Sequence, residues 1–392
     1  MSGAPASHEG DPMNEKAGDK TKRGFAAIFA LCPARHILLL VSAALIALHL
    51  LTRRDHALMA FLSQKAVRPF HRVLARMNAL LPFSAAECLL ALALAALLAY
   101  LVYQIVMLIR SDARGKRLYR TLVTLCAAVL TVYALFCALW GVYYYADDFV
   151  AQSGFRNDAI SVEQLTEVTR AFAELTNEYA SRVPRDENGV CATDRAAVLR
   201  RSDEVFVRTE KQYPCLAGPA LRAKGIICSR VMSYLDFTGF FFPFTGEANV
   251  NMDAPACDLA ATVAHELSHQ RGVAKEQEAN FTAVLASLDY GDPDYVYSAS
   301  LLAYIHLSNA LYGADPEAWQ EIRDSLNDDV LRDLAYRRAY WQTFRTPVRE
   351  ISNTVYEGFL QSYGQTLGLK SYGACVDLLV NYYYGHELLS AG

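Results

Sequence analysis

The sequence lacks a strong charge of either sign, because 37 lysines and arginines oppose 41 aspartates and glutamates and leave a net charge of −4. Bulk charge therefore predicts no nucleic-acid partner. The chain also lacks the C-x-x-C spacing of many zinc and redox sites, and it shows no internal repeat or low-complexity segment. Methionine is absent after Met252, which excludes the downstream methionine turn of one class of zinc peptidases.

The nine cysteines fall in two contexts. Cys32, Cys88, Cys126 and Cys137 lie in or near apolar segments, where small buried side chains are expected. The other cysteines are odd in number, so a complete set of intramolecular bridges is impossible among them. One or two disulfides remain open if that part of the chain lies outside the cell.

Hydrophobic residues make up 53% of the chain and are concentrated in its first 150 positions. Apolar segments at about 36–52, 85–109 and 121–145 predict three transmembrane helices, and the last two exceed the roughly 20 residues that cross a bilayer. The lipid bilayer is therefore an expected partner. The predicted parts are a disordered cytoplasmic tail over 1–23, a membrane domain over 24–146 and a second domain over 147–392.

Basic residues predict the orientation of the spans. The short loop after the second span is rich in arginine and lysine and holds one acid, Asp112. The positive-inside rule places this loop in the cytoplasm and the domain after residue 146 on the extracytoplasmic side of the cell membrane. The loop over 53–81 is also basic, and its apolar residues favour an amphipathic stretch over 55–81 that lies on the membrane surface.

An H-E-x-x-H motif occurs at His265, Glu266 and His269. Residues four apart share one face of a helix, so both imidazoles can bind one ion. Glu266 is placed to take a proton from a water that the ion activates. Two histidines and a carboxylate with one open position are typical of zinc. The alternative is a helix whose histidines only fill a surface or a core.

The third ligand is open between two templates. In H-E-x-x-H-x-x-G-x-x-H, Gly272 fits, but the last position is Lys275, which is a poor ligand while protonated. In thermolysin-like sites a glutamate from a following helix binds the metal. Glu276 and Glu278 both begin the next helical run.

The segment Glu276-Gln277-Glu278-Ala279-Asn280 resembles the E-x-x-A-D segment of integral-membrane gluzincins. The resemblance implies that Glu276 is the ligand, with Glu278 as the alternative. It places Asn280 where those families have an aspartate that steadies a ligand histidine. An amide can still accept the imidazole N–H bond, but without a charge its effect is weaker.

Aromatic and β-branched residues broken by glycine predict two or three short strands over 225–252. In zincin folds a strand shortly before the metal helix forms the rim of the cleft. The segment 247–251 is the candidate, and we expect a peptide or protein substrate to pair with it as an added strand. Ordinary turn and edge polarity is the alternative for its polar residues.

Four segments together resemble the domain-of-unknown-function (3810) family of bacterial membrane proteins: 82–84, 243–251, 265–272 and 276–281. The resemblance covers most of the chain after the tail. It implies a membrane-anchored zinc metallopeptidase of the gluzincin type, and it implies no substrate.

The predicted fold is mainly α, with three transmembrane helices followed by a zincin-like α+β domain that has a small sheet. The predicted function is peptide-bond hydrolysis by a zinc-activated water, with Zn²⁺ held by His265, His269 and Glu276 and with Glu266 as general base. Two other functions stay open: a non-catalytic sensor or scaffold with a zinc site, and a zinc amidase acting on cell-wall peptides.

The residue that stabilises the oxyanion is not predicted firmly. Tyr383 and His386 lie in an aromatic segment near the end of the chain, and a Tyr or His often serves this purpose in gluzincins. Aromatic packing is the favoured interpretation of that segment.

Overall fold

The computed structural model describes residues 26–155, 158–363, 365 and 372–385. The chain divides into two compact units: one holds the chain up to Leu51 with Leu92–Cys137, and the other holds Thr52–Ala91 with the chain from Ala138 onward. The predicted tail lies outside the described residues, and the predicted domain limits remain predictions.

The described chain is mainly helical and includes a three-stranded sheet, as predicted. The strands are β1 Lys224–Ile226, β2 Gly239–Phe242 and β3 Glu247–Asn251. The α-helices are α1 Pro33–Thr52, α2 His56–Leu62, α3 Arg68–Asn78, α4 Ala85–Arg110, α5 Arg114–Leu139, α6 Phe149–Ser153, α7 Val162–Ala180, α8 Arg195–Arg201, α9 Thr209–Gln212, α10 Ser229–Tyr234, α11 Ala256–Gln270, α12 Glu276–Tyr290, α13 Pro293–Ala314, α14 Pro316–Asp324, α15 Asp328–Thr343, α16 Pro347–Ser362 and α17 Tyr372–Tyr383.

Three helices, α1, α4 and α5, are long and apolar enough to cross a membrane. The first two agree closely with the predicted segments, but α5 ends at Leu139 and the predicted third span over 121–145 is too far along the chain. Residues Gly141–Tyr145 form a 3₁₀ turn instead, in which the Trp140 indole donates to the Tyr144 hydroxyl at 3.1 Å. These aromatics pack in the second unit, which is why they do not extend the helix.

Polar contacts join α1 to α5 within the first unit. The Ser42 and Thr131 hydroxyls lie 2.9 Å apart, and His36 Nε2 lies 2.8 Å from the Tyr119 hydroxyl. In apolar surroundings such bonds satisfy groups that would otherwise be costly to bury.

The sheet has the order β1-β3-β2, with β3 parallel to β1 and antiparallel to β2. All five residues of β3 are buried. Because a neighbour occupies each edge of β3, its backbone has no edge left for another strand. The prediction that a substrate adds to residues 247–251 is therefore wrong. The outer strands β1 and β2 each keep one edge that no described strand pairs.

The polar side chains of β3 hold a helix terminus. The Glu247 carboxylate accepts hydrogen bonds from the backbone N–H groups of Ala85 and Ala86, at 3.1 and 2.8 Å. The Ser84 hydroxyl donates to Asn249 Oδ1 at 2.7 Å. These bonds satisfy amide groups in the first turn of α4 that no helical carbonyl can reach.

The core of the second unit is helical. Helix α11 packs against α12 and α13, and α13 packs along α7. Large side chains such as Phe172, Phe281 and Leu301 are fully buried there. This packing places the H-E-x-x-H helix between the sheet on one side and two apolar helices on the other.

The segment 55–81, which the sequence predicts to lie on the membrane surface, belongs to the second unit. The Arg68 and Arg72 side chains donate to backbone carbonyls of residues 215–217 instead of facing headgroups. His71 is buried, with its ring near those of Tyr143 and Phe241. The apolar side chains of Phe61, Phe70, Val73 and Leu80 are nevertheless exposed, so the protein holds the basic side chains of Arg68 and Arg72 but not these apolar ones.

No disulfide joins any of the nine cysteines, all of which lie in the described part of the chain. The one or two bridges left open by the sequence are therefore not formed in this structure.

Candidate metal centre

Two helices and one glycine turn build the site. His265, Glu266 and His269 lie on the last turns of α11, and Glu276 is the first residue of α12. The connection depends on Gly272, whose φ of +90° is rarely adopted by other residues. A Cβ at that position would also lie 2.9 Å from the ring of Tyr143. The predicted sequence of helix, glycine bend and helix is therefore observed.

The side chains of His265, His269 and Glu276 converge. His265 Nε2 lies 3.3 Å from Glu276 Oε2, and His269 Nε2 lies 3.7 Å from Glu276 Oε1. One donor atom from each of the three residues lies within 4.8 Å of the others. Bonds of about 2.1 Å in a tetrahedral site place donors roughly 3.4 Å apart. The spacing and the donor types therefore fit a zinc ion.

A second set of contacts orients each donor. His265 Nδ1 lies 2.8 Å from Asn280 Oδ1, and His269 Nδ1 lies 2.6 Å from the carbonyl oxygen of Val273. Because both partners accept hydrogen bonds, the neutral form of each ring carries its proton on Nδ1 and has its lone pair on Nε2. The Tyr356 hydroxyl donates to Glu276 Oε1 at 2.8 Å.

Burial and mutual charge set the proton affinities of the triad. Burial alone would raise the pKa of Glu276, but the adjacent His269 and His265 and the Tyr356 hydrogen bond lower it to about 2. Burial lowers the pKa of His269 to about 4. Burial also opposes protonation of His265, yet the hydrogen bond and charge of Glu276 raise its pKa to about 9. Glu276 is thus the anionic centre of the group.

Glu266 is buried beside the triad, and its Oε2 has no hydrogen-bond partner in the described structure. Burial raises the pKa of its carboxyl to about 8, and the charge of Glu276 adds to the rise, while His265 opposes it. A cation at the triad would favour the ionised form, because an opposite charge within a few ångströms lowers a carboxyl pKa.

Gly239 makes room for Glu266. A Cβ at Gly239 would lie 2.5 Å from Glu266 Oε1 and 2.9 Å from the carbonyl oxygen of Asn249. Gly239→Ala is therefore expected to destabilise the protein by about 1–3 kcal/mol, as overpacking does in a filled interior. Thermal unfolding of the purified protein measures the change.

Gly313→Ala is the matched control, because a Cβ there meets nothing within 4 Å and lies in a helix. It is expected to be neutral or slightly stabilising. Equal unfolding temperatures for the two variants would show that β2 does not crowd Glu266.

The other candidates from the sequence lie apart from the triad. The buried Glu278 carboxylate accepts a hydrogen bond from the backbone N–H of Phe149 at 2.9 Å. Tyr383 is buried with its ring 5.1 Å from that of Phe172, in agreement with the packing interpretation. His386 lies outside the described residues.

Two neighbours of the triad were missed by the sequence reasoning. Tyr356 comes from α16, far along the chain, and no local pattern links it to Glu276. Trp140 lies within the apolar segment predicted over 121–145, and its ring lies edge-on to that of His269 with centroids 5.8 Å apart. Both contacts depend on tertiary packing, and the sequence carries no short-range signal for either.

Comparison of the chain with curated proteins finds no match, and comparison with solved structures finds none. A family model described as protein of unknown function (DUF3810) matches residues 63–380. That range contains the whole H-E-x-x-H helix, the glycine turn, the helix that bears Glu276 and the sheet. The chain therefore belongs to the DUF3810 family.

Proposed function

We propose that this protein is a zinc-dependent metallopeptidase of the gluzincin type, anchored in the cell membrane by three spans with its zincin-like domain on the extracytoplasmic side. The observation that carries the proposal is the convergence of two Nε2 atoms and one carboxylate within 4.8 Å. A buried carboxylate lies beside them with one oxygen unpaired. Structural zinc sites need no such base and usually close all four positions.

The residues of the site have separate tasks in the proposed reaction. His265, His269 and Glu276 would hold the ion, and Tyr356 would keep Glu276 in place. When bound, zinc would polarise the scissile carbonyl and lower the pKa of water toward neutrality. Glu266 would accept the proton of the attacking water on its unpaired Oε2 and deliver it to the leaving amine.

The unpaired edge of β2 is the proposed substrate rim. The Asn251 backbone N–H donates a hydrogen bond to the Thr238 carbonyl. Because backbone groups alternate in direction along a strand, those of every second residue from Thr238 onward face β3. The backbone N–H and carbonyl groups of Gly239 and Phe241 therefore face the unpaired edge of β2. A Cβ at Gly239 would lie 2.5 Å from Glu266 Oε1, so this edge lies beside the proposed base. An extended peptide could pair there.

Metal content and peptide cleavage by the full-length protein in detergent test the proposal. We expect about one zinc per chain by mass spectrometry. We also expect cleavage products from a mixed peptide library that disappear with a chelator and return with zinc. Zinc without cleavage would favour a sensor or scaffold, and activity confined to cell-wall peptides would favour an amidase. Absence of bound metal would refute the proposal.

Asn280 provides a graded test of the metal site. Asn280→Ala removes the acceptor for His265 Nδ1 and is expected to weaken zinc binding by about 10–100-fold, as loss of such outer partners does. Asn280→Asp restores the acceptor with a charge and is expected to bind zinc more tightly than the parent. Competition with a chromophoric chelator measures both affinities, and equal affinity in all three proteins would contradict the assigned contact.

A further inference from the structure

A cluster of three arginines, Arg68, Arg72 and Arg271, surrounds the loop 215–218 in the second unit. Arg68 Nη2 donates to the carbonyl oxygens of Cys215 and Ala217, at 2.6 Å each. Arg72 Nη2 donates to the same Ala217 oxygen at 2.6 Å. Two guanidinium groups from successive turns of α3 therefore share one carbonyl.

Arg271 reaches the same loop from the end of α11. A Cβ on Gly218 would lie 2.8 Å from Arg271 Cγ and 3.2 Å from its Nε, so the side chain lies directly against the loop. Its guanidinium stacks over the Phe206 ring at 4.1 Å, and the residue is only 4% exposed. Its Nη1 donates to the Leu267 carbonyl at 3.3 Å.

In the described part of the chain, the three arginines of this cluster have N–H groups without hydrogen-bond partners and charges without an ion-pair partner. The Nε atoms of Arg68, Arg72 and Arg271 are all buried and have no hydrogen-bond partner. Within the described ranges, none of the ion pairs closer than 4.0 Å includes one of these three side chains. Glu210 acts on Arg271 from a greater distance. Buried arginines are ordinarily paired, because an unpaired buried charge is costly.

Arg68 and Arg271 line a small cavity that opens to solvent. Its wall also includes Gln64 and Gln152, whose side-chain amides can donate hydrogen bonds. Asp147 is the one carboxylate among the lining residues, and it is exposed. The buried end of the cavity is thus cationic.

We propose that this cavity binds an oxyanion of the phosphate class between Arg68 and Arg271. Guanidinium groups present planar sets of N–H donors that match phosphate oxygens, and such charge-assisted bonds are the strong ones. The anion would accept hydrogen bonds from the guanidinium groups of Arg68 and Arg271 and would offset the excess positive charge. Because the cavity opens to solvent, the group can be free phosphate or the phosphate of a lipid headgroup.

The position of the cavity gives the anion a structural consequence. Gly272 and Val273 also line it, and the Val273 carbonyl is the acceptor for His269 Nδ1. An anion held by Arg271 would therefore steady the turn that orients His269. This site is separate from the triad and does not depend on the peptidase proposal.

Thermal unfolding of the full-length protein in a non-ionic detergent tests the site. Sodium phosphate at constant ionic strength, against sodium chloride, is expected to raise the unfolding temperature saturably, by on the order of 5 °C at a hundredfold excess over Kd. Short-chain phosphatidylglycerol, against a phosphate-free glycolipid, is the second arm. A rise with phosphate alone identifies a free anion, and a rise in both arms identifies a headgroup as well.

Phosphate also stabilises proteins non-specifically, so a variant must separate the two effects. Gln64→Glu places a carboxylate in the cavity one helical turn from Arg68, and it is expected to abolish the phosphate response without lowering the unfolding temperature in chloride. Arg200→Gln, a change at an exposed arginine paired with Asp194, should keep the full response. No saturable rise in either arm, or the same rise in Gln64→Glu, would overturn the proposal.

Discussion

Replacing Glu266 with glutamine is expected to abolish hydrolysis while zinc remains bound. Glutamine keeps the shape of the side chain but cannot accept a proton, and loss of a positioned general base reduces turnover by about 10²–10⁴-fold. Glu266 is not among the three residues whose donor atoms converge, so the metal site should persist. Rates on a cleaved peptide and zinc content by mass spectrometry check both parts of the prediction.

The fold should tolerate this change because the buried site already disfavours a charge there. Burial raises the pKa of Glu266 to about 8, and a neutral amide of the same size suits that environment. Glu278→Gln is the matched control, since it neutralises another buried carboxyl whose pKa burial raises to about 7. It should keep turnover. If Glu266→Gln retained full turnover, the role of general base would have to be assigned elsewhere.

Glu276→Gln is expected to release the metal. The carboxylate is the anionic centre of the triad, since its hydrogen bonds and the two histidines lower its pKa to about 2 despite burial. A neutral amide would remove a charged ligand while the two imidazoles remain. The affinity loss should exceed the roughly 10–100-fold expected for outer partners such as Asn280. Zinc competition and metal content after dialysis measure it.

The same Glu278→Gln variant distinguishes the two acids that the sequence left open. Glu278 accepts from the Phe149 N–H and is not in the converging group, so its replacement should leave zinc bound. Loss of zinc from Glu278→Gln together with its retention in Glu276→Gln would reverse the ligand assignment. Tyr356→Phe, which removes one hydrogen bond to Glu276, should fall between the parent and Glu276→Gln.

The geometry of the triad could be predicted because it is local. His265 and His269 lie one helical turn apart, Gly272 permits the bend, and Glu276 follows within a few residues. Each of these relations depends on backbone conformations that short-range rules describe. The metal and the reaction remain proposals from this geometry.

The order of the strands in the sheet could not be predicted from the sequence in the same way. Residues 247–251 have the composition of an edge strand, but β1 pairs with them from more than twenty residues earlier. Their polar side chains serve the first turn of α4 at Ala85 and Ala86, a contact between distant parts of the chain. Strand order depends on such long-range pairing, and composition does not encode it.

The basic residues of 53–81 show the same limit. Arg68 and Arg72 belong to an amphipathic pattern that suits a membrane surface as well as a protein surface. Only the position of loop 215–218 decides that carbonyl oxygens, and not headgroups, face them. Arg271 joins them because the end of α11 lies against that loop.

By itself, the sequence determined three apolar helices, a mainly helical second part and a helix–glycine–helix unit that brings two imidazoles toward one acid. Periodicity and glycine conformation act over a few residues, so short stretches of sequence are enough to predict these features. The tertiary structure alone decided which strands keep a free edge, which tyrosine donates a hydrogen bond to Glu276 and which arginines meet behind the H-E-x-x-H helix. Those contacts arise when distant segments bury their surfaces together, and the free energy of that packing depends on the whole fold.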